Sequence, residues 1–119
     1  MLWRPGDPPI PTRPTTVEWY FGVYDGNMPH HVDTAPCVSV PPELANRVGE
    51  ALNLTGWFEE VAWGGESPLE DFAARLARWP DGHPDPDVHR ALAELLCVVG
   101  YGRRFRDVPP GCRRWIWWE

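Results

Sequence analysis

Val17-Glu-Trp-Tyr-Phe-Gly-Val-Tyr24, followed at once by Asp25-Gly26, is the stretch on which the fold turns. A run this rich in β-branched and aromatic side chains reads as a strand, and Asp-Gly behind it reads as a turn. Residues Ala35 to Val40 predict a second strand, with Pro36 at an edge or a first position because it cannot donate to a ladder. The intervening stretch, Asn27 to Asp33, is polar, longer than a tight hairpin needs, and holds His30 and His31 as a loop.

Upstream of this strand, five prolines fall within the first fourteen residues, in Arg4-Pro-Gly-Asp-Pro-Pro-Ile-Pro-Thr-Arg-Pro14. Proline fixes φ and removes donors, so residues 1–16 are expected to be an extended arm. The P-x-x-P spacings at Pro8/Pro11 and Pro11/Pro14 suit a polyproline ligand. An arm packed over its own domain, anchored by Trp3 and Ile10, is the preferred reading. Residues 17–119 are then a single domain, the size at which a chain supports one core without staples.

Downstream, three helices are expected. Pro42 suits a first helical position, with Leu44, Val48, Ala51 and Leu52 on one face and Glu43 paired with Arg47 at i, i+4. The second helix has Ser67 as its cap, Pro68 opening it, Glu70 closing a capping box and Pro80 ending it; its apolar stripe is Leu69, Phe72, Leu76 and Trp79. The third runs from Asp85-Pro86 to Gly100 with Val88, Leu92, Leu95, Leu96 and Val99 inward. Trp57 to Trp63 fits a strand or a helical turn, broken by Gly64-Gly65. Tyr101–Arg106 and Arg113–Trp118 flank Val-Pro-Pro-Gly, which predicts a terminal hairpin. The expected fold is α+β: a small antiparallel sheet, made of the N-terminal strand pair and the C-terminal hairpin, with three helices on one face.

Composition removes several chemistries. All eleven basic residues of the 119 are Arg, so there is no lysine for a Schiff base, for pyridoxal phosphate or for a phosphate loop. Ser39 and Ser67 are the only serines, which leaves little room for a serine hydrolase. No window is apolar for long enough to span a membrane, and the N-terminal residues lack the apolar region of a secretory signal. Cys37, Cys97 and Cys112 are few and widely spaced, which indicates reduced thiols and a cytoplasmic setting, with Cys97 as a core thiol. Eight tryptophans exceed what one small core usually takes, so some are expected in an interface.

Charge is uneven. Residues 50–94 hold ten acids against three arginines, a segment of −7, while residues 95–119 hold five arginines against two acids, or +3. The plain explanation of the acidic stretch is a solvated helical face with capping carboxylates. The functional one is a docking surface for a basic partner, with Trp57, Glu59, Glu60, Trp63 and Glu66 as contact residues, since aromatics bordered by carboxylates suit Arg- or Lys-rich surface.

Two other chemistries compete. His30, His31 and Asp33 crowd one segment, with Cys37 beyond it and His83 and His89 elsewhere in an acidic run, so a metal-dependent or thiol enzyme is an alternative. No signature such as H-E-x-x-H supports it, and neither a metal site, a catalytic residue nor a cofactor is assigned. RRFR and RRWIWW interleave arginine with aromatics, as a single-strand nucleic-acid platform does, yet the chain as a whole is acidic, with a pI of about 5.1. The expected function is therefore a non-enzymatic protein-binding domain of the inhibitor, immunity or anti-defence kind. Its partner would be the basic surface of an enzyme or nucleic-acid-binding protein, with a second copy of the chain as a further partner class; nucleic acid and membrane are disfavoured.

Overall fold

A computed structural model describes residues 16–54 and 64–119. The expected α+β architecture is present: an antiparallel sheet with three helices packed on one of its faces. In chain order the elements are β1 (Val17–Tyr24), β2 (Pro29–His31), β3 (Cys37–Val40), α1 (Pro42–Ala51), β4 (Gly65–Pro68), α2 (Leu69–Leu76), α3 (Pro86–Arg104) and β5 (Arg113–Trp118). Residues 1–15 of the expected 1–16 arm and the Thr55–Trp63 stretch lie outside the described residues.

β1 is the organising strand. One edge pairs with β5 from Trp19↔Trp118 to Tyr24↔Arg113. The other edge pairs first with β2 (Gly22↔His31) and then with β3 (Val17↔Val40 to Tyr20↔Cys37), so the returning chain forms one interrupted strand. β4 closes the far side against β5. The polar stretch expected as a loop thus contains β2. Asp25 explains why: its Oδ1 accepts from the N–H groups of Asn27 and Met28, each at 2.8 Å, which turns the chain back within a few residues.

β1 alternates in burial apart from Gly22, which is buried on the outer side. Val17, Trp19, Phe21 and Val23 are buried toward the helices, as are Ile116 and Trp118 of β5. Against them pack Val48 of α1 and Leu52 just beyond it, Leu69, Phe72 and Leu76 of α2, and Val88, Leu92, Leu95 and Val99 of α3. Helix ends are satisfied locally. Asp85 Oδ1 caps α3 by accepting from Asp87 and Val88 N–H. α1 ends in a left-handed Asn53 (φ 52°), with Leu54 N–H on Gly49 O and Asn53 N–H on Glu50 O.

Several expectations are corrected. The terminal hairpin does not form, because α3 continues through Gly100 to Arg104 and leaves β5 as a single strand. Two glycines inside a helix are unfavourable, but Gly102 brings the helix against the Phe21 ring, which a Cβ would meet at 2.7 Å. Tyr101 and Phe105 also pack on that ring. Tertiary packing overrides the stop signal.

Ser67 does not cap α2. It lies in β4, buried on the core face, and its hydroxyl donates to Pro68 O. Glu70 closes no capping box and pairs with Arg103 instead. Arg47 turns from Glu43 to Asp85. Leu96 and Cys97 face outward from α3, Leu96 with 54% of its surface exposed. Trp79 lies just beyond α2 and donates from its indole to Ala51 O at 2.8 Å, tying two helices together. Among the described residues no helix is long and apolar enough to cross a membrane.

Candidate functional site

One face of the sheet carries no helix among the described residues, and it is rich in aromatic side chains. Strand alternation and register place its residues in four rows. Glu18 lies between Ser39 and Glu119. Tyr20 lies between Cys37 and Trp117, with Glu66 beyond. Gly22 lies between His31 and Trp115, with Pro68 beyond. Tyr24 lies between Pro29 and Arg113.

The aromatic members touch in a continuous chain. Tyr20 stacks on Trp117 (centroids 5.9 Å apart, planes 18°), Trp117 meets Trp115 and Tyr24, and Tyr24 lies 5.0 Å from Trp115. His31 sets its ring edge on Tyr20 at 4.8 Å. Gly22 makes this packing fit, since a Cβ there would sit 2.7 Å from the Trp117 ring and 2.6 Å from His30 O. Trp117 is therefore 6% exposed, yet it belongs to this outer cluster and not to the core under the helices.

Polar groups sort by row. Glu18 and Glu119 occupy the end row and Glu66 the row beside it; Glu66 accepts from Trp117 Nε1 at 3.0 Å and Glu119 accepts from the Tyr20 hydroxyl at 3.4 Å. Burial, followed by the Glu119 charge, pushes the Tyr20 phenol above its ordinary value, so it stays a donor. At the other end, Arg113 borders a cleft of about 370 Å³ formed with Tyr24, Asp25, Gly26, Gly111 and Trp115. The indole Nε1 of Trp115 is shielded from solvent and has no hydrogen-bond partner. The face is acid-ended, aromatic in the middle and has one arginine at the far end.

Of the contact residues expected from sequence, Glu66 lies on this face, exposed in β4. Trp57, Glu59, Glu60 and Trp63 lie outside the described residues. The sequence reading overlooked Tyr20, Tyr24, Trp115 and Trp117 as one surface. The signal was present in the odd/even split of Trp115/Trp117 against Ile116/Trp118, but only pairing with β1 shows which set meets the helices.

Among the described residues the histidines take part in local pairs. His30 and His31 are adjacent in β2 and so project to opposite faces. His30 Nε2 lies 2.9 Å from Asp25 Oδ2, and His31 Nδ1 lies 3.5 Å from Asp33 Oδ1. The hydrogen bond from His30, aided by the Met28 and Asn27 amides, holds the Asp25 carboxyl at about 2. His83 and His89 use Nδ1 to accept from Asp85 N–H and His83 N–H, which shapes the turn before α3. Among the described residues no three His, Cys, Asp or Glu side chains group to hold an ion.

Cys37, the thiol of the enzyme alternative, stands beside a carboxylate. Partial burial, then the charge of Glu18, raises the Cys37 thiol, which points its hydrogen at Glu18 Oε2 4.0 Å away. A thiol held protonated by a carboxylate is the reverse of an activated one. The basic tail is also split. Arg103 forms a two-bonded pair with Glu70, and Arg114 donates to Gly102 O (2.9 Å) and Phe105 O (2.7 Å), fastening the end of α3. Among the described residues Arg113 alone of these arginines lies on the aromatic face.

Comparison of the chain with protein-family models, with curated proteins and with solved structures gives no match.

Proposed function

We propose that the chain is a non-enzymatic protein-binding domain of the inhibitor, immunity or anti-defence kind, and that the outer face of its sheet holds a basic segment of the target. One observation carries the reading: Tyr20, Tyr24, Trp115 and Trp117 form a continuous aromatic surface, with Glu18 and Glu119 in its end row and Glu66 in the row beside it. Aromatic faces attract guanidinium and ammonium groups through their π-electrons, and neighbouring carboxylates add charge-assisted hydrogen bonds. Large rings held rigid by their neighbours lose little entropy on binding, which is the property of interface anchors.

Alternation also explains why an aromatic-rich sheet would serve this end. The inner set of rings packs under the helices, while the outer set packs ring on ring across the other face. Tyr20, Tyr24 and Trp115 are half-buried and Trp117 is buried, so the face offers a partner ring edges rimmed by polar groups. Phosphate tracking, as in single-strand nucleic-acid binding, needs several cations along the aromatic path. Among the described residues three carboxylates stand against one arginine here, so a basic polypeptide is the better fit. Glu59 and Glu60 add to the acidic segment that borders β4.

The test is affinity capture from the native cells with the full chain, comparing wild type with Glu18→Arg/Glu119→Arg and with Glu59→Arg/Glu60→Arg. A target lost from the first variant and released as salt rises supports the face. Equal recovery on wild type and on Glu18→Arg/Glu119→Arg sinks it.

A further inference from the structure

The outer face has a polarity as well as rings. Glu18 and Glu119 hold its end row, Tyr20, Trp117, Trp115 and Tyr24 run along it, and Arg113 shares the far row with Tyr24. From Glu18 to Tyr24 is six residue steps of β1, about 20 Å at 3.3 Å each. A target segment made only of cations would meet carboxylates at one end and a guanidinium at the other. Like charge at that second contact costs binding, and such contacts are how an interface rejects wrong partners.

The Arg113 end is also the end with room. Its cleft of about 370 Å³ lies between the β1–β2 turn, at Asp25 and Gly26, and the turn before β5, at Gly111. Gly26 and Gly111 have positive φ, 97° and 82°, and a Cβ on either would meet nothing within 4 Å. The rim is therefore low, and a chain lying along the face can run on past it.

The groups around the cleft leave donors free. Arg113 is exposed and forms no ion pair or hydrogen bond with any described residue. Asp25, the acid in the same cleft, has both oxygens engaged: Oδ1 by the Asn27 and Met28 amides and Oδ2 by His30. Trp115, another wall of the cleft, has an indole N–H that no described residue satisfies, and a shielded donor left unpaired is costly. A free guanidinium and an unpaired N–H both call for an acceptor. A carboxylate matches the planar fork of arginine with two parallel hydrogen bonds.

We infer that the Arg113 cleft binds an Asp or Glu side chain of the target, about six residues along the target chain from the basic residue held by Glu18 and Glu119. This rests on the assignment of the outer face as the binding surface. It sharpens the partner from a basic segment to an extended one that carries both signs of charge at a fixed spacing. Arg113 is then the residue that reads the second charge.

The test is a nuclear magnetic resonance titration of the full chain with three capped heptapeptides. The first is acetyl-Arg-Pro-Ala-Pro-Ala-Pro-Glu-amide, the second has the same residues in reverse order, and the third has Ala in place of Glu in the first. Six steps at 3.1 Å per residue give about 19 Å between the charged residues, which matches the face. At least one of the two Glu peptides should bind about fivefold tighter than the Glu-free one, the size of an exposed ion pair. Its binding should move the Arg113 side-chain N–H and the Trp115 indole N–H together. Arg113→Gln should remove that advantage and leave the affinity of the Glu-free peptide as it was, while Arg113→Glu should make the Glu-free peptide the tighter binder. Equal binding of all three peptides, with the Trp115 and Trp117 indoles still shifting, overturns the carboxylate subsite and leaves the binding face standing. An advantage that survives Arg113→Gln overturns its assignment to this cleft. If no peptide shifts either indole, the subsite and the face fall together.

Discussion

The two faces of the sheet are made by the same strands from alternate residues, and both are rich in rings, yet they are finished differently. The inner face presents Trp19, Phe21, Ile116 and Trp118 to three helices and is sealed. The outer face presents Tyr20, Tyr24, Trp115 and Trp117, adds three carboxylates and one arginine, and meets no helix among the described residues. Inner rings supply apolar area to the core; outer rings carry polar handles pointing along the surface. Stability is thus expected to follow the inner set and recognition the outer set.

The largest effect should come from breaking the inner face. Phe72→Ala removes a fully buried ring that packs on Trp118 and should cost about 3–5 kcal/mol in denaturant unfolding. Gly102→Ala, which drives a Cβ into Phe21, should cost about 1–3 kcal/mol by overpacking. Arg114→Ala should cost a similar ~1–3 kcal/mol, since it leaves the Gly102 and Phe105 carbonyls without their donor. On the outer face, Tyr24→Ala should change stability by less than about 1 kcal/mol while weakening target binding at least tenfold. A variant that unfolds the domain and spares binding would invert the comparison.

The smallest effect is on pH. Asp25 lies in the β1–β2 turn, and its folded carboxyl titrates at about 2, below the ordinary 3.8. A lowered acid contributes stability above its unfolded value and loses it as pH falls through the folded value. The Asn27 and Met28 amide resonances should therefore hold steady down to about pH 4, then move with a midpoint near 2 as the turn loosens. Asp25→Asn should abolish that titration.

Much of the inner face was legible in the sequence. The β-branched and aromatic run of Val17 to Tyr24, the apolar stripe of Leu69, Phe72 and Leu76, and the Asp85-Pro86 start of α3 are local signals that the structure keeps. What could not be read was decided by contacts distant in sequence. Gly100 looked like a helix end, but Phe21 draws the helix onward through Gly102. Ser67 and Glu70 had the spacing of a cap, but pairing with Ile116 draws Ser67 into a strand and Arg103 takes Glu70. Trp115 and Trp117 were visible as one side of a strand, but β1, some ninety residues earlier in the chain, decides which side the helices leave bare. Of the expected contact residues Glu66 alone could be placed, and its hydrogen bond to Trp117 joins the acidic segment to the aromatic face.

The most direct test of the claim that the outer face recognises and the inner face only folds is to follow all eight indole N–H resonances of the nitrogen-labelled full chain, assigned by single Trp→Phe variants, as the captured target is added. Trp115 and Trp117 should shift together and saturate, while Trp19 and Trp79, held under the helices, stay in place. Shifts at Trp19 or Trp79 with Trp115 and Trp117 unmoved would put recognition on the helical side and contradict the account.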